Sequence, residues 1–591
     1  MSGGTGAGQN SRCPSPGYKS SRSPTCRPFR EAFGLQPGAD VDPSRRALLR
    51  GLGLLAFAWP LPGASEAARL SVRDHGARGD GKTKDTAAIQ AAIDAAAPGG
   101  TVVFPPGEYV AGTLRLRSRL VLRLEAGATL RASPDDADFD PPETLAYKSF
   151  ADGETTDFAF ALLQGRHLHH VGLVGPGRID GNRRFRGGPK PIALKECRHI
   201  TISDLTIENA PNYNISLLGC DRIDIKGVTI RNGYSDGIDP DCCRHVRIAG
   251  CRVETRDDAI VLKASLALGA RRSTEHVLVT DCDLVNIRNG LKIGTESSGD
   301  FKNIVFRNCT LSGRAEIWDP PPFDLRPFPS AGVSIQNVDG GQLEQVVVSG
   351  ITMRSVRAPI FVRLGERGWG QAVPQAGTLT KIRISNVVAT GAEWTSSIRG
   401  LPGHDVSDIA LSDIRISSKG GRDAALMSRP VADQRREYPD AARSRHLPAQ
   451  GLYCRHVARL RVENTTFAVS IPDGRPALVL DDVREATVKN LVATAPSGPA
   501  PVVWLRSTRD CVLDGIRAPD AETLARLSGM NTARVRVAAS AGPPHVVVID
   551  PGVNRTELRT SGRVATRVSV SPSGPDREAA AARGQPPPQA Q

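Results

Sequence analysis

The chain has 591 residues, a formal net charge of +14 and only 5% aromatic residues. Length alone suggests several domains, but a repeat architecture escapes that expectation, and scarce aromatics suit a core of stacked aliphatic side chains. The positive charge favours an anionic polymer by long-range attraction, while the absence of zinc-finger, helix-turn-helix or P-loop patterns argues against nucleic acid as that polymer.

Residues 1–43, rich in Ser, Arg, Gly and Pro, read as disordered. Arg45-Arg46 then precede an apolar run, residues 51–61, that ends near Ser65-Glu66-Ala67. Twin arginines before a moderate hydrophobic stretch and small residues resemble a Tat-type signal over 44–67. The expected destination is the periplasm or the exterior, with no membrane association after signal removal. Asp74-His75-Gly76-Ala77-Arg78-Gly79-Asp80-Gly81 forms a glycine-rich loop, and residues 85–97 read as a short Ala/Ile helix stopped by Pro98-Gly99-Gly100. Strands are expected at 101–104, 113–116 and 120–124.

A repeat then takes over, with a period of about 23 residues. Arg198-His199-Ile200-Thr201-Ile202, Asp221-Arg222-Ile223-Asp224-Ile225 and Arg244-His245-Val246-Arg247-Ile248 are in step, each preceded by a cysteine: Cys197, Cys220 and Cys243. Looser copies follow from His276, Lys302, Glu344, Thr380, Ser407, Ala458 and Glu485. The alternation of Ile, Val and Leu with polar residues is the period of strands, and Gly, Asn and Asp between the runs supply turns. Units this short are too small for propeller blades and lack a leucine-rich signature. The expected fold is all-β: a right-handed, single-stranded parallel β-helix over 68–540, capped by the N-terminal helix, with a largely disordered extension at 541–591. The recurring cysteines read as an interior thiol ladder, with a Cys242–Cys251 disulfide as the alternative in an oxidising compartment. Loops at 135–158, 318–329 and 422–448 interrupt the rhythm, and the first two, which carry Pro and aromatic residues, are candidate cleft walls.

Two acidic clusters stand about one coil apart: Ser235-Asp236-Gly237-Ile238-Asp239 and Arg256-Asp257-Asp258-Ala259-Ile260. A solenoid would stack one on the other, and convergent carboxylates can protonate a leaving oxygen and activate a water. Asp239 and Asp241 read instead as turn acids that satisfy their own backbone.

At these residues the chain resembles glycoside hydrolase family 28, the polygalacturonase-like enzymes, over roughly residues 69–420. The opening segment, from His75-Gly76-Ala77 through Phe104-Pro105-Pro106-Gly107-Glu108-Tyr109, is typical of pectin-active β-helices, and Asp236 with Asp257-Asp258 match the family's N-T-D-G and G-D-D or Q-D-D motifs. The resemblance implies inverting hydrolysis of pectic polysaccharide, with Asp258 as general acid and Asp236 and Asp257 activating water. It also implies a tuning role for Lys263. No cofactor or metal is expected, and the partner is a polysaccharide or oligosaccharide bound by a monomer.

Four positions depart from the family pattern. Tyr234 stands where Asn is usual, with Ser235 beside it, and Arg256 precedes the acidic pair. Asn289 occupies the place of the G-H-G histidine, and Ser334-Ile335-Gln336 that of the carboxylate-binding R-I-K. Lys292, Arg363 and Arg367 are candidate replacement cations for substrate, alongside Arg256, Lys263 and Asn289. A polysaccharide lyase or epimerase on the same fold, with Arg256 or Lys263 as base, and a non-catalytic carbohydrate-binding β-helix are the competing functions.

Overall fold

The computed structural model describes residues 69–569 except 97, 157, 314–328, 540–544 and 563. The 1–43 tract, the 44–67 signal, nearly all of the 318–329 loop and the tail beyond 569 lie outside the described residues.

The chain is a right-handed parallel β-helix. From Ala161 to Ser312 each coil lays down three strands, and each strand pairs in parallel with its counterpart one coil on: Ile215–Leu218 with Ile238–Asp241, Asp221–Lys226 with Arg244–Ala249, and Thr229–Gly233 with Arg252–Thr255. The sequence repeat is the middle strand. Its ladder runs Val171, Ile200, Ile223, Val246, Val277, Ile304, Val346, Ile382, Ile409 and Leu460, one aliphatic residue per coil in unbroken register. Alternation sends these side chains into the core and their neighbours to the outside.

Each coil turns into this strand through a residue in the left-handed region. His170, His199, Arg222, His245 and His276 occupy that corner at φ 57, 57, 58, 52 and 57°. At the next corner Asp204, Gly227, Gly250 and Asp281 do the same, residue types that tolerate this conformation.

The predicted helix forms as Thr86–Ala95 and buries Ile89, Ala92 and Ile93 in the first coils of the core. The predicted boundary at 540 falls short. Thr523–Ser528 pairs with His545–Ile549, and that strand with Val564–Val568, so parallel pairing continues into the supposed extension. Its Val/Ile alternation is short and interrupted, which hides it in the sequence.

The thiol ladder is present. The backbone N–H of Cys197 donates to Cys220 Sγ and that of Cys220 to Cys243 Sγ, each at 3.4 Å. Every described cysteine is free and buried, Cys242 and Cys251 included. Among the described residues, no helix is long and apolar enough to cross a membrane.

Candidate active site

The first strand of each coil builds the sheet that carries the acids. Ile192, Ile215, Ile238, Ile260, Leu291 and Val333 form its inward ladder. Asp239, Lys263 and Lys292, from successive coils, therefore point outward on one face. Asp236 and the Asp257-Asp258 pair sit at the turns leading into two of these strands. Gly237 lets those turns stack closely, since a Cβ there would meet the Ala259 carbonyl oxygen and Val253. One oxygen from each of Asp236, Asp257 and Asp258 falls within 4.8 Å of the others.

Different neighbours set different charge states on the three acids. Asp258 accepts the Asn289 backbone N–H at 2.9 Å and its side-chain Nδ2 at 2.6 Å, both on Oδ1, while Lys292 Nζ meets Oδ2 at 2.7 Å. Burial works to raise the Asp258 carboxyl, but the Lys292 charge and these hydrogen bonds outweigh it and hold the group below its ordinary value. Asp257 goes the other way: burial and the Asp258 charge raise it, against the pull of Arg186 at 2.5 Å. It is also the most open of the three, with 21% of its side chain exposed, against 6% for Asp236 and 4% for Asp258.

Asp236 accepts the Asp258 N–H at 3.1 Å and faces Lys263 Nζ at 3.3 Å. Burial, then the charges of Asp239 and Asp257, push its carboxyl well above the usual range. Lys263 is the hub beneath it, 3.0 Å from Asp239, 3.3 Å from Asp152 and 2.7 Å from the Tyr213 hydroxyl. Asp239 and Asp241, read as turn acids, are buried strand residues, and Asp241 accepts from the Ser265 N–H at 2.9 Å.

A site with one ionised and one proton-retaining carboxylate side by side can move a proton in each direction. Residues 69–123 match the family model described as rhamnogalacturonase A/epimerase, pectate lyase-like, and residues 146–267, which carry all three acids, match glycosyl hydrolases family 28. A Vitis vinifera protein named probable polygalacturonase is 26% identical over 378 residues, covering 58% of this chain and 74% of its own. A Ralstonia nicotianae polygalacturonase is 25% identical over 343 residues, covering 47% of this chain and 61% of its own. A solved structure, described as a hyperthermoactive exopolygalacturonase from Thermotoga maritima, shares the fold at a TM-score of 0.50 and 21% identity. It matches over 59% of this chain and 87% of that one. This chain is a glycosidase resembling family 28.

The glycosidase places its other sequence-predicted residues unevenly. Asn289 and Lys292 bind Asp258, and Lys263 lies under Asp236, so these three touch the acids themselves. Arg256 packs its guanidinium 4.1 Å over the Tyr234 ring, so that departure from the family pattern is paired with the other one beside it. Arg367 clasps Asp339 with two hydrogen bonds, 2.9 and 2.6 Å, and lies 3.6 Å over Trp369. Arg363 is the clearest displacement from expectation: it is buried and donates to the backbone carbonyls of Asp433 and Gln434. It pins an insertion and does not face an open cleft.

Several site residues carried no signal of their own. Arg186 bridges Asp257 and Glu154, its Nη2 lying 2.5 Å from Glu154. Ser235 Oγ also donates to Glu154, at 3.1 Å. The Tyr438 hydroxyl is 3.3 Å from Lys292 Nζ, and Asp440 pairs with Arg288 at 3.3 Å. Asp152 and Glu154 belong to the 135–158 insertion, an expected cleft wall, whereas Tyr438 comes from the 422–448 insertion, which the sequence marks only as a break in the repeat. Arg186 sits in a short Arg/Gly-rich turn that looks like ordinary surface.

Proposed function

We propose that this glycosidase is an exported, monomeric, polygalacturonase-like hydrolase of pectic polysaccharide, working by acid/base catalysis at Asp257, Asp258 and Asp236. The observation that carries the reading is the opposite protonation bias of adjacent Asp257 and Asp258. It also exchanges the roles the sequence suggested. A general acid must hold a proton and reach the glycosidic oxygen, and Asp257 is the raised and more exposed group. Asp258, kept ionised by Lys292 and Asn289, suits the base. In the proposed step Asp257 gives its proton to the leaving oxygen as the glycosidic bond breaks. A water attacks the anomeric carbon and loses its proton to Asp258, with Asp236 alongside.

Inversion comes from the family resemblance, and the spacing pulls against it. Inverting pairs usually stand about 6.5–9.5 Å apart and retaining pairs about 5–5.5 Å, whereas oxygens here lie within 4.8 Å. What favours a base over a nucleophile is that both Asp258 oxygens are already engaged, by Asn289 and Lys292. The anomer of the first product, read by proton NMR, decides between the two.

Without the family's R-I-K cations, the sugar carboxylate needs another partner. Arg186 is half-exposed beside Asp257, and its planar fork matches a carboxylate. The lyase alternative rests on a cation held by the same three acids. Two of them already face lysine ammoniums, which leaves little uncompensated charge to attract one. The test is to incubate the protein from about Ala68 with homogalacturonan, rhamnogalacturonan and neutral pectic oligosaccharides, with and without chelator. New reducing ends without unsaturated products, insensitive to chelator and lost in Asp258→Asn, is the expected result. Unsaturated, chelator-sensitive products would make it a lyase.

A further inference from the structure

We infer that the acids sit in a pocket closed on both sides along the solenoid, so that this glycosidase engages the end of a sugar chain and not its middle. The inference rests on the hydrolase reading above and adds the mode of attack. A bare β-helix face is long and flat, and a polymer can lie across many of its coils. Here the outward side chains of the acid-bearing sheet are buried well beyond the acids in both directions.

Toward the N-terminus the cover is the 135–158 insertion. Phe158 packs on Ala161, Ala193, Leu218 and Ala267, Glu143 pairs with Lys195 at 2.9 Å, and the Tyr147 hydroxyl donates to the Ala267 carbonyl at 2.8 Å. Toward the C-terminus the cover is the 422–448 insertion with the residues just after it. Ala441 packs on Ala331, Ala358 and Phe361, and Leu447 with Ala449 on Tyr453, Val479 and Trp504.

The second cover is fastened through its main chain. Arg363, Arg399 and Arg455 stand in register on three successive coils. They donate to consecutive backbone carbonyls of the insertion: Arg455 to Val431, Arg399 to Ala432 at 2.6 Å, and Arg363 to Asp433 and Gln434. A strap held by its backbone at four residues in a row, by the buried Arg363 and Arg399 and the partly buried Arg455, is a fixed wall.

The two covers also come close together. Asp152 of the first reaches Lys263, and Tyr438 of the second reaches Lys292. Val261 and Lys292 are register partners, so these lysines belong to neighbouring coils, about 4.8 Å apart. At this junction Arg186 and Tyr438 are exposed and Asp257 partly so. Among the described residues, the strands of this sheet on either side of the acids are buried throughout and offer no open run for a polymer to lie along.

The test follows wild-type protein acting on long homogalacturonan and on oligogalacturonides labelled at the reducing end, with product sizes taken at low conversion. A parallel calorimetric titration of Asp258→Asn, and separately Asp257→Asn, uses unlabelled acidic and neutral oligosaccharides of increasing length. The expected result is one short product from the first time point, slow loss of viscosity, and an affinity that levels off after the first few sugars. A spread of internal fragments, or an affinity that keeps rising with length, overturns the pocket. Levelling affinity without hydrolysis by the wild type leaves the pocket standing and overturns the hydrolase. Absence of both binding and cleavage across all oligosaccharides overturns the two together.

Discussion

Lys292 Nζ lies 2.7 Å from Asp258 Oδ2, and each of the two side chains is only 4% exposed. A pair this buried is held because breaking it strands a charge, at a cost of about 3–5 kcal/mol. Its chemical effect is to keep Asp258 ionised at pH values where burial alone would protonate it. The sign is that of a depressed carboxyl: the ionised form and its stabilisation are present above the unfolded value and are lost as pH falls through the folded one. Lys292→Met should therefore move the acidic limb of kcat/KM to higher pH and lower its plateau by ~10²–10⁴-fold. The pH–rate profile checks this, and an unmoved acidic limb would contradict it. Lys292→Met/Asp258→Asn should regain part of the stability lost by the single lysine variant, because no lone charge remains.

Asp257 and Asp258 should fail in different ways. Asp257→Asn should lose ~10²–10⁴-fold on natural polymer, yet recover much of its rate on an aryl glycoside whose leaving group needs no proton. Asp258→Asn should be slow on both substrates, because the attacking water is no longer deprotonated. The comparison needs only the two variants and two substrates. Recovery in Asp258→Asn but not in Asp257→Asn would restore the assignment first read from the sequence.

That first assignment shows where sequence reasoning stops. The repeat from Arg198 to Ile248 announces the coil, because solenoid spacing turns chain distance directly into spatial stacking. It thereby places Asp236 beside Asp257-Asp258 without further information. Which acid keeps its proton depends on Lys292, one coil away, and on Arg186, from a distant turn, and no spacing rule links these to the pair. Arg363 misled for a related reason. Its outward direction was readable from alternation, but the strap that covers it returns from some 70 residues later.

Arg186 holds Asp257 with one nitrogen and Glu154 with the others, half in solvent. If it also meets the sugar carboxylate, Arg186→Ala should raise KM on galacturonate oligomers by ~10–100-fold, the loss of a charge-assisted bidentate contact worth roughly 1.5–3 kcal/mol. Neutral oligosaccharides should feel no comparable change. Arg186→Lys should recover only part of the loss, since a point charge replaces a fork. Steady-state kinetics on both substrate classes are the measurement. An equal loss on neutral sugars would reduce Arg186 to a support for Asp257.

Burial pushes the Asp239 carboxyl up to about 7, with Lys263 pulling against it. Because the folded value is raised, the group's stabilising contribution is complete below the unfolded value near 3.9 and disappears as pH climbs through about 7. Wild-type protein should therefore lose stability across that window relative to Asp239→Asn, by at most about 1.4 kcal/mol per pH unit. Paired urea melts at the two ends of the window measure the difference. Parallel slopes for the two proteins would mean that Asp239 stays ionised throughout, held by Lys263.

The thiol ladder predicts chemical silence. Cys220 and Cys242 are buried, and burial pushes both thiols well above their ordinary value. The reactive thiolate is therefore scarce and shielded. Cys242 Sγ faces Asp241 and the Ser265 carbonyl on the outer side of its strand, whereas Cys251 belongs to the aliphatic core. No rotamer change brings those two sulfurs together, so an oxidising compartment should not link them. Folded protein should resist iodoacetamide at Cys220 and Cys242 and label there only after denaturation. Intact mass under non-reducing conditions should show no loss of hydrogen at Cys242 and Cys251. A disulfide-linked peptide joining them would require the second coil corner at Gly250 to be rebuilt.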